Sequence, residues 1–374
     1  MREIYFSFYH ILIFIGIFQS LLLAYIFIFN KKFRKKANFS LAIALLFLSV
    51  AGFNEISQDL ELQKQYTYLR YFPLADLSIV CLGFYYFICF LLNPNYQFNK
   101  KDYWLISPVV ILYVLRIIIY FLLLAKPSFL VTHKKAFLVY NIFFNYLPIL
   151  YFVIVLQSSL KKVNTYHDQL FNNYSEIGGK DLFWLKNLIY FLLIFSVFWF
   201  GVISSMFIFQ SRGWAFYLIW IAACLMMIWL GYFVILRRDI FEIPVFEPIN
   251  EQEIAKSLLS EKTDEHYTKL KKLMVTEKLY RDPQLNMDTL AQKTNLSNGY
   301  LSKIINQKEG KNFYDFVNTF RIKEVKAHLI LPEYNHYSIL GIGLEAGFKS
   351  KSTFNAVFKK MTGMTPSAYK KTIR

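Results

Sequence analysis

Acidic residues are scarce in this chain of 374 residues: 25 Asp and Glu face 42 Lys and Arg, for a formal net charge of +17 with the histidines neutral. Cysteine is scarcer still. Its three copies, Cys81, Cys89 and Cys224, sit inside apolar runs without a CxxC pair, so neither a disulfide framework nor a thiolate zinc site is expected. Each is read as a small hydrophobe. The six histidines, at positions 10, 133, 167, 266, 328 and 336, show no HExxH or other ligand spacing. GxSxG and Walker A patterns are missing, and no phosphorylatable-histidine or ATP-binding pattern follows the last apolar run. The chain is therefore read as a non-enzyme, with no catalytic residues, no metal and no cofactor.

What the chain has instead is oil. Hydrophobic residues make up 56% and aromatics 19%, with 39 Phe and 27 Tyr, while only 18% are charged. One soluble core cannot hide so much apolar surface. The excess ends near Leu236, and the net charge is +10 before that point and +7 after it. Seven apolar segments precede it, at about 5–29, 37–56, 71–92, 103–124, 137–157, 185–209 and 214–236, each near the ~20 residues a helix needs to cross a bilayer. The first is too long, and too poor in a small-residue cleavage site, for a signal peptide, and is expected to stay as a span. In the fourth, 15 Leu, Ile, Val or Phe contribute roughly −7 kcal/mol on insertion scales, which outweighs about +3 for Arg116.

Loop charge sets the expected orientation. With the N-terminus outside, 13 basic residues fall on the inner side, led by the KKFRKK run at 31–36, and 7 on the outer side. The positive-inside rule then favours an outer N-terminus, and seven crossings leave the C-terminus in the cytoplasm. Ionisable and polar groups at membrane depth are candidate sites. Asp76 and Arg116 lie in the outer halves of the third and fourth spans, near Asn54, Asn141 and Asn145. These five residues are read either as a structural ion pair with interhelical hydrogen bonds or as a pocket for an unknown small or lipid-like ligand.

From Arg237, the stretch RRDIFEIPVFEPINEQE has two prolines and several acids and reads as an extended linker. DEHYTKLKKLMVTEKLY, 264–280, is an amphipathic helix with Thr263 as its N-cap, docking on the domain that follows or pairing with a second subunit in a homodimer. Short helices and tight turns come next. MDTLAQKTNLSNGYLSKIINQ, 287–307, reads as helix, turn, helix: Leu290 and Ala291 face inward, Asn295 takes the left-handed turn, Ser297 caps the second helix, and Leu301, Ile304 and Ile305 are inside. A long helix from about Asn312 to Leu331 ends at Pro332. SILGIGLEAGFKSKSTFNAVFKKMTG, 338–363, repeats the pattern, with Gly347 in the turn and Phe354 and Phe358 inward.

The ordered stretches LAQKTNLSNGYLSKIIN, FVNTFRIKEVKAHL and IGLEAGFKSKSTFNAVFKKMTGMTPSAY make residues 283–371 similar to the DNA-binding domain of AraC-family transcription regulators. The resemblance covers about a quarter of the chain. It implies two helix-turn-helix units joined by a linker helix and entering successive major grooves. Gly343 stands where the family pattern usually has Ala. Carried onto this sequence, the base-edge positions are Gly299, Ser302, Lys303 and Asn306 in the first reading helix and Lys351, Ser352, Thr353 and Asn355 in the second. Lys suits guanine edges and Asn suits adenine. Lys311, Arg321, Lys349, Lys359 and Lys360 are the phosphate candidates, Arg321 having an alternative as partner of Glu324 or Glu345. Residues 282–374 carry 14 Lys and Arg against 7 Asp and Glu. Six phosphate contacts would give a log–log salt slope of about −5.

The expected fold class is all-α: a polytopic transmembrane helix bundle over 1–236, a linker and amphipathic helix over 237–282, and an AraC-type double helix-turn-helix domain over 283–374. The expected function is a one-component transcription regulator in a bacterial cytoplasmic (inner) membrane. Its expected partners are double-stranded DNA and the lipid bilayer. The alternatives are a transporter or membrane enzyme with a regulatory tail, and a passively anchored regulator released by proteolysis at the linker.

Overall fold

The structure, a computed structural model, describes residues 7–69, 77–126, 133–209, 214–236, 243–246 and 263–373. Among them the chain is all-α, and no strand forms beyond an isolated antiparallel bridge between Tyr174 and Asn286. The described residues fall into two units: Met1–Val163 with Leu182–Val245, and Asn164–Asp181 with Phe246–Arg374.

The first unit holds α1 (Phe8–Phe29), α2 (Lys36–Asp59), α3 (Leu77–Leu92), α4 (Lys100–Ala125) and α5 (Lys134–Asn141). It also holds the start of α6 (Leu147–Asn173), then α7 (Phe183–Phe209) and α8 (Trp214–Leu236). Six helices among the described residues are long and apolar enough to cross a membrane: α1, α2, α4, α7, α8 and the stretch Leu138–Asn173. The third expected segment is described only from Leu77, as a helix of 16 residues. Small residues set the closest approaches: an added Cβ on Gly83 of α3 would lie 2.9 Å from the Ala44 Cβ and the Ser40 carbonyl oxygen of α2, which lets the two backbones nearly touch.

The fifth expected segment, 137–157, differs from the structure at both ends. A π-helical turn, Ile142–Tyr146, interrupts it just before Pro148, whose missing N–H already breaks the regular ladder. Beyond 157 the helix continues for about four polar turns, through KKVNTYHDQLFNN, to Asn173. Residues 164–181 thereby join the second unit, although the sequence division at 236 assigns them to the first.

In the second unit, α9 (Thr263–Thr276) buries Leu270 and Met274 in the core of the domain that follows it, the docked one of its two expected arrangements. The remaining helices are α10 (Met287–Thr294), α11 (Asn298–Glu309), α12 (Phe313–Ile330), α13 (Ile339–Glu345), α14 (Lys351–Thr362) and α15 (Pro366–Thr372). Caps fix the starts: Asn286 accepts from Thr289 N at 2.9 Å, Asn312 from Asp315 N at 2.8 Å and Ser350 from Thr353 N at 3.1 Å. Each such cap contributes about 1 kcal/mol. Left-handed residues fix the ends, with Asn295 at φ +58° and Gly363 at +80°.

Two cores form side by side along α12. One gathers Leu290, Leu301, Ile305, Phe313, Phe316 and Val317 with the α9 residues. The other gathers Val325, Leu329, Ile342, Phe348, Phe354 and Phe358. Gly343 has a packing reason: a Cβ there would sit 2.9 Å from Cγ of Phe354, so the ring occupies the space an alanine methyl would need.

Candidate nucleic-acid interface

Helices α10 and α11 make one helix-turn-helix, and α13 and α14 the other. The first turn is closed by Asn295 in the left-handed region, with Leu296 packed beneath it. The second is closed by Gly347 at φ +99°, where any side chain would run into the backbone of Tyr280 and Arg281. Both turns bury one face of the second helix, through Leu301, Ile304 and Ile305 in α11 and Phe354, Val357 and Phe358 in α14.

That burial leaves the opposite faces free. In α11, Lys303 and Asn306 are exposed, while Gly299 and Ser302 are half-buried. In α14, Lys351, Ser352 and Asn355 are exposed, and Thr353 is half-buried, donating from Oγ1 to Oε1 of Glu176 at 2.9 Å. All eight base-edge candidates therefore lie on the reading helices, and in α14 Thr353 is hydrogen-bonded to the segment preceding α7.

The phosphate candidates divide. Lys349 and Lys359 are exposed. Lys360 is exposed but its Nζ donates to both carboxylate oxygens of Asp315, at 2.7 and 3.0 Å. Lys311 is half-buried and donates to Thr319 Oγ1 at 3.1 Å. Arg321 is a correction: it is 0% exposed and cannot reach a phosphate. Its Nε donates to the Tyr280 carbonyl at 2.7 Å, and its two Nη atoms donate to the Asp282 carbonyl at 2.9 Å and to Ser175 O and Oγ at 3.2 and 3.1 Å. Burial pushes this guanidinium down to about 10, against the opposing pull of nearby Glu176. It pairs with neither Glu324 nor Glu345 in these bonds.

Glu324 is held instead by Arg281, whose Nε donates to both of its oxygens at 3.1 Å, and by Lys278 at 3.4 Å. Burial would raise this carboxyl, but the hydrogen bonds and charge of Arg281, with Lys278 and His328, outweigh it and leave it below the usual carboxylate range.

In the first unit, three of the five pocket candidates, Asn54, Arg116 and Asn145, have described side chains. Asp76 lies outside the described residues, as does the side chain of Asn141. Arg116 of α4 sits 5.4 Å from the centre of the Phe144 ring, in the π-helical turn that also contains Asn145, while Asn54 is in α2. A small void of about 20 Å³ lies elsewhere, among Ile13, Gly16, Ser20, Ser49, Trp220 and Cys224. Two polar clusters were missed by the sequence reading. Asp59, the last residue of α2, accepts from the hydroxyl of Tyr9, from Tyr217 Oη at 3.2 Å, and faces His10 Nε2 at 2.8 Å. Asp102, 1% exposed, accepts from Tyr96 at 2.8 Å, Tyr86 at 3.2 Å and the Asn99 N–H at 2.7 Å. Both acids lie at helix ends, just beyond the apolar runs on which the spans were drawn.

Comparison with known proteins agrees with this geometry. A family model described as a helix-turn-helix domain matches residues 290–372. The probable transcription factor PqrA of Proteus vulgaris is 32% identical over 92 residues, which cover 25% of this chain and 73% of PqrA. An uncharacterised HTH-type transcriptional regulator of Staphylococcus aureus is 33% identical over 92 residues, 25% of this chain and 12% of that one. The chain thus spans only about an eighth of the Staphylococcus regulator. No solved structure matches the chain significantly. Through its C-terminal domain the chain belongs to the AraC-type helix-turn-helix transcription regulators.

Proposed function

We propose that this chain is a one-component transcription regulator that stays in a bacterial inner membrane while its second unit reads promoter DNA from the cytoplasm. One observation carries the reading: a single polypeptide combines six helices long and apolar enough to cross a bilayer with a helix-turn-helix pair whose exposed residues include Lys303, Asn306, Lys351 and Asn355. With the third expected segment, described from Leu77, as a seventh crossing, the inner-side excess of Lys and Arg supports an outer N-terminus and a cytoplasmic C-terminus. Exposed Lys349 and Lys359 are suited to position the duplex through phosphates, and the reading helices to specify it. The apolar unit would sense a small or lipid-like ligand, with Arg116 against the 142–146 turn and the Asp59 cluster as its polar features.

The test is genome-wide footprinting of the intact protein in its host, combined with membrane fractionation and topology reporters fused after residue 374. Discrete footprints made by a protein that remains in the membrane fraction, with an active cytoplasmic reporter, support the proposal. Diffuse occupancy or an outward reporter overturns it. For sensing, Arg116→Leu should alter regulation while leaving protein level unchanged.

A further inference from the structure

The stretch that follows α6 is built into the DNA-reading domain. Ser175 donates from its N–H to the Leu285 carbonyl at 3.3 Å, its Oγ donates to the same carbonyl, and its own carbonyl and hydroxyl accept from Arg321. Tyr174 bridges Asn286, and Phe171 and Ile177 pack on the core that supports α14. This anchor presents the next residue, Glu176, to the N-terminal end of α14. There its Oε1 accepts from Thr353 Oγ1 at 2.9 Å and from Gly178 N at 3.1 Å, while Oε2 is buried with no hydrogen-bond partner. Lys180 lies close enough to Lys349 to feel its charge: burial first, and Lys349 second, hold that ammonium below the usual lysine range, against Glu176.

A duplex cannot meet this arrangement neutrally. Thr353 is one of the positions from which α14 would touch base edges, and its hydroxyl is already committed as a donor to Glu176. DNA brings about one negative charge per 1.7 Å of helix axis, and a carboxylate at the mouth of the reading helix repels it. Lys351, Ser352 and Asn355 remain exposed, so the loop blocks one residue rather than the whole face.

We propose that Glu176 is an internal guard of the second reading helix: anchored by Ser175, it holds Thr353 while no DNA is bound, and duplex DNA must displace it. The inference rests on the DNA-reading role of α14 and adds regulation to it. The competing partner is thus a major-groove segment of double-stranded DNA, and the element it displaces is residues 176–180 of this chain.

The test uses the full chain in lipid nanodiscs and a duplex selected from a random pool by the unaltered protein. Glu176→Gln and Glu176→Ala should both bind that duplex more tightly, roughly two- to fivefold at low salt, the span expected for one partly exposed charge. The gain should shrink as salt is raised. A purely structural role for Glu176 would instead weaken binding. In the unaltered protein, hydrogen exchange across 176–180, which contains the Gly178 amide bonded to Glu176, should speed up severalfold when duplex is saturating. Unchanged or weaker binding by both variants overturns the proposal, and so does exchange that duplex leaves unaltered. Should the unaltered protein select no sequence at all, the DNA-reading role falls first and the guard with it.

Discussion

Arg321 holds Ser175 by both its carbonyl and its hydroxyl, at 3.2 and 3.1 Å, across 146 residues of sequence. The same guanidinium reaches the Tyr280 and Asp282 carbonyls, so one buried cation ties two separate stretches to α12.

Arg321→Ala should therefore cost about 3–5 kcal/mol in the second unit, because it strands several buried acceptors that each carry a penalty of about 1–3 kcal/mol. Arg321→Lys should recover less than half, since a single ammonium cannot reproduce the planar fork. Pulse proteolysis of the full chain in urea measures both. At temperatures where the variants stay folded, the salt slope of DNA binding should be unchanged, which separates this structural role from a phosphate contact.

Glu324 makes a pH prediction. Its folded carboxyl titrates below the usual range, so its contribution is fully present above the unfolded value of about 4.3 and is lost as pH falls through the lower, folded one. Acidification in that window should loosen the second unit, as read by proteolysis between about pH 3 and pH 7. Glu324→Gln should be less stable at neutral pH and show a flatter acid limb.

The exposed lysines should separate by role. Lys303→Ala should lower affinity for the preferred duplex by about 1–3 kcal/mol and relax selectivity at one base pair. Lys349→Ala and Lys359→Ala should weaken binding to every duplex alike and reduce the log–log salt slope by about 1 each. Binding isotherms across a salt series, on matched and scrambled duplexes, distinguish the two.

Gly347 and Gly363 both have positive φ, at +99° and +80°, but only Gly347 would drive a Cβ into backbone, while Gly363 faces open space. Gly347→Ala should then destabilise by about 2 kcal/mol or more and Gly363→Ala by about 1 kcal/mol. Equal losses in urea unfolding would show that the clash at Tyr280 relaxes freely.

The legible parts of this fold were those that local chemistry dictates. Apolar runs gave the long helices, Ser297 gave the start of α11, and Asn295 and Gly347 gave the two turns. Arg321 was misread as surface because a cation on an amphipathic helix usually faces water. Its spacing held the warning: four residues from Val317 and four from Val325, both 0% exposed, it lies inside the apolar stripe. Ser175, Glu176 and Phe171 gave no comparable signal. Their partners are 110 to 177 residues away for the hydrogen bonds of Ser175 and Glu176, and polar residues after a hydrophobic run read as an ordinary loop. Asp59 and Asp102 escaped for a related reason, since acids at helix ends look solvated until the tyrosines around them are known.

The reading domain is completed by a strip of chain, 164–181, made well before the rest of it. A protease cutting near Pro244 would liberate a torso without one of its ribs: the released piece would lack Ser175, Phe171 and Ile177, and Arg321 would face an unfilled slot. Such a shed fragment should be a poorer folder than the tethered whole, which makes staying attached a requirement of architecture as well as of address.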